Sequence, residues 1–123
     1  MAVKTSSNKP SLMPRFRVVC GENIALGPGK VELLAHLIET GSLKEAARRL
    51  GMSYMRAWKL VQTMNVCFRE PVAVSERGGK AGGGMKITAT GRRALALYQE
   101  MEAAALHSAS PHWGRLQKLL RSE

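Results

Sequence analysis

Two short stretches of helical periodicity, separated by a few residues at Gly51, constrain this chain more than any other feature. Residues 42 to 50 (SLKEAARRL) open on Ser42, a capping residue, with Glu45 three positions on as the reciprocal member of a capping box. Ala46, Ala47 and Leu50 give this stretch one apolar face. Gly51 ends it, because glycine tolerates the positive φ of a helix C-terminus. Ser53 then caps a second stretch whose stripe, Ala57, Val61, Met64 and Phe68, recurs at i, i+4, i+7 and i+11. Helices joined by so tight a turn cross closely, and the small side chains of Ala46 and Ala47 permit that crossing. The expected unit is a helix-turn-helix, in which the first helix braces the second and the second carries the exposed reading face.

The flanks extend this unit. Pro28 sits where a helix can begin, and Val31, Leu34, Leu37 and Ile38 recur at helical spacing until Gly41 supplies a stop. Upstream, residues 15 to 20 (RFRVVC) alternate weakly, and Gly21, Glu22 and Asn23 signal a turn before residues 24 to 26, so a short strand or hairpin is expected. Residues 1 to 14 mix Lys, Ser, Asn and Pro without periodicity and read as a disordered basic arm. Downstream, Pro71 bars further helix, and Val72, Val74 and Met85, Ile87 flank SERGGKAGGG, which predicts two short strands with a glycine tip, a wing. Residues 90 to 107 return to strong helix formers with Leu95, Tyr98, Met101 and Ala105 on one stripe, a long fourth helix. A Ser-Pro break then precedes Trp113, Leu116, Leu119 and Leu120, which suggest a short amphipathic helix in a tail of residues 108 to 123. The fold class expected is mainly α with a small β wing, a winged helix-turn-helix over residues 15 to 107.

Charge points to the partner. Nineteen Lys and Arg oppose nine Asp and Glu, a formal net charge of +10, which favours a polyanion. Residues 41 to 93 hold eleven basic and three acidic side chains, a net of +8, whereas residues 94 to 123 hold three of each. The basic field is therefore local, as a binding face for double-stranded DNA would be. Cys20 and Cys67 lie far apart in sequence among apolar neighbours and read as small buried hydrophobes in a reducing, cytoplasmic setting. His36, His107 and His112 form no closed ligand set, so neither a metal nor a cofactor is expected, and His36 reads as a satisfied structural histidine. No signal peptide or bilayer-spanning stretch is evident, so no membrane association is expected.

With Ala57, Val61 and Met64 turned inward, Tyr54, Met55, Arg56 and Lys59 face outward as candidates for base-edge contact. Arg56 leads, since its planar fork pairs bidentately with the two acceptors of guanine; a phosphate contact is the alternative. Ser53 caps its helix and is placed to donate to a phosphate near that N-terminus. Trp58 falls beside the core stripe and is expected to pack on the preceding helix rather than against a sugar-phosphate backbone. In the wing, Arg77 and Lys80 stand among glycines that leave the backbone free to approach phosphates or the minor groove. This is not a nucleotide-binding loop, because Ala81 follows Gly79-Lys80 and Val74 stands where the leading glycine belongs. Lys86 and Arg92 rank above Arg48, Arg49 and Arg93 as further phosphate contacts.

Together, GPGKVELLAHLIETGSLKEAARRLGMSYMRAWKLVQTMN and SERGGKAGGGMKITATGRRALALYQ resemble the N-terminal DNA-binding domain of ModE-type molybdate-responsive transcriptional regulators, and more loosely that of LysR-type regulators. The resemblance covers roughly residues 15 to 105, and the Ser-Tyr-x-x-Ala-Trp run, Met64-Asn65 and the glycine-rich wing are fairly specific together. It implies a homodimer on a palindromic operator, with the N-terminal strand and the long last helix at the dimer interface. A surplus apolar stripe on a long helix agrees, since it needs a partner. Members of the family continue into an oxyanion-sensing domain, which sixteen residues from 108 to 123 are too few to build, so an effector-sensing function is expected elsewhere or on a separate protein.

Other classes weighed against a sequence-specific regulator are a non-specific architectural DNA- or RNA-binding module and a protein-interaction module that docks through residues 113 to 120. Few exposed aromatics argue against single-strand stacking. No carboxylate pair, nucleophile-base set or metal cluster emerges from the spacing, so an enzyme is not expected.

Overall fold

A computed structural model describes residues 9 to 76 and 84 to 121. Chain order is β1 (Val18–Cys20), β2 (Asn23–Leu26), α1 (Pro28–Thr40), α2 (Leu43–Leu50), α3 (Tyr54–Cys67), β3 (Ala73–Glu76), β4 (Gly84–Ile87) and α4 (Ala89–Gln117). The strands form two separate antiparallel pairs, β1 with β2 and β3 with β4. In the first pair Val18 faces Leu26 and Val19 faces Ile24, so Ala25 is the extra residue of a bulge. In the second, Ala73 faces Ile87 and Glu76 faces Gly84. This is the winged helix-turn-helix expected from the sequence, with β3 and β4 as the stem of the wing.

Helix ends follow the punctuation of the sequence. Gly41 and Gly51 close α1 and α2 in the left-handed region, at φ +65° and +69°. Ser42, Ser53 and Thr88 cap α2, α3 and α4 by accepting from Glu45 N, Arg56 N and Gly91 N. The capping box at α2 is only half formed. The Glu45 carboxylate turns to Arg48, three residues on, and to Arg49, while the Ser42 amide donates instead to Thr40 Oγ1 at 3.2 Å. Two cations on the next turn outcompete one amide for the carboxylate.

The core is a continuous cluster from every helix and from β2, β3 and β4. Leu33, Leu34 and Leu37 of α1 meet Ala46 and Ala47 of α2, Ala57, Val61 and Met64 of α3, and Tyr98 of α4. Phe68, expected to complete the α3 stripe, is only half-buried and serves as the C-cap residue. His36 differs from expectation too: its Nδ1 is shielded from solvent and has no hydrogen-bond partner among the described residues, Glu39 Oε1 lying 3.9 Å away.

The largest departure from the sequence reading lies at the C-terminus. No break occurs at Ser-Pro: α4 runs 29 residues, through Pro111 and Gly114. A proline inside a helix deprives the carbonyl four residues earlier of its donor. Here that carbonyl belongs to His107, and the Ser110 hydroxyl donates to it at 3.0 Å, so the residue read as part of a stop signal supplies the missing donor. Burial of α4 is confined to its first third, at Gly91, Ala94, Leu95 and Tyr98; Met101 of the expected stripe is 44% exposed.

Candidate nucleic-acid interface

The position of α3 is fixed at both ends. At its start, the α2–α3 turn is closed by Met52 N donating to Ala47 O, and Ala46, Ala47 and Ala57 are buried where small side chains allow α2 and α3 to approach. At its end, the Asn65 side chain clamps the wing: Nδ2 donates to Ala73 O at 3.0 Å and Oδ1 accepts from Val72 N at 2.8 Å. One amide side chain thus satisfies a backbone donor and a backbone acceptor, which sets the wing stem relative to the helix. Thr88 completes the frame, its amide donating to Val72 O and its hydroxyl to Pro71 O.

With that core face fixed, Tyr54, Met55, Arg56 and Lys59 are exposed, as the sequence predicts, and Ser53 is exposed at the helix N-terminus. Helical spacing puts Met55, Lys59, Gln62 and Val66 on the line opposite Ala57, Val61 and Met64. Gln62 and Val66 were missed by the sequence reading, although the i, i+4, i+7, i+11 rule that located the buried stripe locates them equally. Trp58, expected to pack on the preceding helix, is 42% exposed, so part of its ring remains at the surface.

Arg56 lies toward the α1 side of this face. The Lys30 ammonium on the first turn of α1 is held below the usual lysine range, chiefly by desolvation, with the like charge of Arg56 adding to the effect and Cys67 opposing it. Lys30 and Arg56 therefore belong to one basic neighbourhood, and Lys30 is a cation the sequence reading did not single out.

Lys86 projects from β4 between buried Met85 and Ile87, and Arg92 is exposed on the first turn of α4. Among the described residues, Arg56, Lys59, Lys86 and Arg92 have no ion-pair partner, whereas Arg48 pairs with Glu45, and Arg49 lies 3.0 Å from Glu39 and 3.6 Å from Glu45. An unpaired cation meets a phosphate without first giving up a carboxylate, a difference that separates Lys86 and Arg92 from Arg48 and Arg49 but not from Arg93, which also has no ion pair among the described residues. Arg77 and Lys80 lie outside the described residues.

The cysteines depart from the sequence reading. Cys20 is exposed on β1 and Cys67 is half-buried at the end of α3, so neither is a fully buried hydrophobe. The fold brings their thiols together, and the Cys67 thiol is pushed up, first by desolvation and then by its neighbour Cys20. Among the described residues, no group of three His, Cys, Asp or Glu is placed to hold a metal ion.

No protein-family model matches the chain. Individual proteins do. The chain is 45% identical over 78 residues to the molybdenum-pterin-binding protein MopB of Rhodobacter capsulatus, covering 63% of this chain and 29% of MopB. It is 34% identical over 83 residues to the transcriptional regulator ModE of Haemophilus influenzae, covering 68% of this chain and 32% of that protein. It is 35% identical over 71 residues to the DNA-binding transcriptional dual regulator ModE of Escherichia coli, covering 58% of this chain and 27% of that regulator. The chain thus spans less than a third of the length of these relatives. Over that shared stretch it is similar to the ModE and MopB proteins, which bears out the resemblance to the N-terminal DNA-binding region of ModE-type regulators.

Proposed function

We propose that this chain is a sequence-specific, double-stranded DNA-binding module of a ModE-like transcriptional regulator that works in the cytoplasm as a homodimer. The observation that carries the reading is the exposed face of α3, braced by α2 and clamped to the wing through Asn65, which presents Arg56 and Lys59 without an ion-pair partner among the described residues. A helix so presented enters the major groove with its N-terminal residues, while flanking cations neutralise phosphates. In this reading Tyr54, Met55, Arg56 and Lys59 reach base edges, Ser53 contacts a phosphate, and Arg77 and Lys80 follow the backbone from the wing.

The dimer is supported by apolar surface on the N-terminal hairpin and α4. Val18, Val19 and Ile24 of the N-terminal hairpin and Leu97, Met101 and Leu106 of α4 are exposed. Phe16 meets Tyr98 edge-on, with ring centroids 6.5 Å apart, and the Tyr98 hydroxyl donates to Phe16 O at 2.8 Å, which joins the N-terminal segment to α4 as one surface. A second copy would cover these groups by two-fold symmetry. Selection of bound duplexes from a random-core library tests the specificity: a single enriched motif is expected, and recovery of unenriched sequence would contradict it. Sedimentation equilibrium tests the dimer, with twice the 13.4 kDa chain mass expected.

A further inference from the structure

Four of the exposed large apolar side chains belong to α3: Tyr54 (53% exposed), Met55 (57%), Trp58 (42%) and Val66 (73%). Val66 lies eleven residues beyond Met55, about 16 Å along the helix axis, and stands apart. The other three are contiguous, since Tyr54 and Trp58 are four apart and Met55 and Trp58 three apart on the helix surface. Single surface hydrophobes need no explanation, but a contiguous group with a polar rim marks a contact surface. Here the rim is basic, with Arg56 on one side and Lys59 one turn beyond Met55, so the partner is an anion with an apolar feature at the depth the first turns of α3 reach.

On the major-groove edges of base pairs that feature is the C5 methyl of thymine, beside its O4 acceptor; guanine, adenine and cytosine present only donors or acceptors there, which the Met55 thioether and the carbon face of the Trp58 ring would desolvate without pairing. We propose that Met55 and Trp58 are specificity-determining residues that select thymine by its methyl group, with Lys59 and Arg56 holding the helix in the groove. Met55 is suited to this role because its unbranched thioether adapts to a small apolar target. The inference rests on the duplex-reading function proposed above and adds to it which base the apolar patch reads.

The test replaces, one at a time, each thymine of the library-selected duplex with deoxyuridine, which removes only the methyl, and measures dissociation constants for the unaltered protein, Met55→Ala, Met55→Leu and Trp58→Ala. One buried methyl corresponds to about a fourfold change in affinity. The unaltered protein and Met55→Leu should lose about fourfold at the same one or two positions. Met55→Ala and Trp58→Ala should bind more weakly overall and respond less than about 1.5-fold there. Equal sensitivity in all four proteins, or none at any thymine, overturns the assignment while leaving duplex recognition intact. If the library yields no motif, the DNA-reading function itself fails and the thymine assignment with it. Thermal unfolding of each alanine variant separates a lost contact from a lost fold, and Met55→Ala, at the more exposed of the two positions, carries the test alone where Trp58→Ala unfolds at a lower temperature than the parent.

Discussion

Replacing Gly91 by alanine should destabilise the protein although alanine is the better helix former. Gly91 is buried on the first turn of α4, where that helix crosses the chain entering the wing. A Cβ there would stand 2.2 Å from Val72 O, 3.1 Å from Val72 C and 2.8 Å from Ile87 Cγ2. The first two contacts are backbone, and Val72 O already accepts from Thr88 N at 3.0 Å, so relief means moving α4 and stretching the bond at its cap. Overpacking of this kind costs about 1–3 kcal/mol, and the weakened hydrogen bond about 1 more. The helix-propensity gain of alanine over glycine returns about 1 kcal/mol. The net expectation is a loss of about 1–3 kcal/mol, or a fall in Tm of about 4 °C per kcal/mol for a chain of this size. Gly114, in the same helix, is the internal control: nothing lies within 4 Å of its Cβ position, so Gly114→Ala should gain about 0.5–1 kcal/mol of local helix stability. Calorimetry on Gly91→Ala, with amide exchange across α4 for Gly114→Ala, reads both. A Gly91→Ala protein as stable as the parent would refute the close crossing of α4 over Val72.

Asn65→Ala removes the clamp on Val72 N and Ala73 O and should cost about 2 kcal/mol in urea unfolding, with faster amide exchange at Val72. Ser53→Ala should cost about 1 kcal/mol of stability by uncapping α3; DNA affinity reduced beyond that of an equally destabilised Ser42→Ala would assign Ser53 its phosphate contact as well. Lys86→Ala and Arg92→Ala should each lower the salt dependence of DNA binding by about one released counterion, read from affinities across a salt series, whereas Arg48→Ala, whose guanidinium already serves Glu45, should leave it nearly unchanged. Burial raises the Tyr98 hydroxyl above the ordinary tyrosine range, so the folded protein holds that proton more tightly than the unfolded chain. The contribution of Tyr98 to stability should be fully present below the ordinary tyrosine range and be lost as pH rises through it, and Tyr98→Phe should flatten that part of the fall in alkaline denaturation curves.

The elements most readable in the sequence are those whose ends are set by side chains that act locally. Gly41, Ser42, Gly51 and Ser53 each fix a helix terminus by their own φ or hydroxyl, and the structure places all four as expected. The buried stripe of α3 is legible for the same reason, since Ala57, Val61 and Met64 repeat at the helix period. What escaped depended on partners distant in sequence or on competition among neighbours. Pro111 reads as a stop until Ser110 is seen donating to His107 O. Glu45 fits a capping box until Arg48 and Arg49 offer stronger partners. Cys20 meets Cys67 because a hairpin and a helix end converge. Within the candidate interface, the outward set Tyr54, Met55, Arg56 and Lys59 follows from periodicity alone, while the role of Asn65 depends on the wing folding back to its amide.

The central claim is that α3 discriminates among duplex sequences. Its most direct measure is the ratio of dissociation constants for the library-selected duplex and a scrambled duplex of equal composition, by fluorescence anisotropy at one salt concentration near 0.15 M. Sequence reading by α3 predicts a ratio of about a thousandfold or more, falling by at least tenfold in an Arg56→Ala, Met55→Ala double variant. Equal affinity for both duplexes would contradict the account and leave an architectural, charge-driven binder in its place.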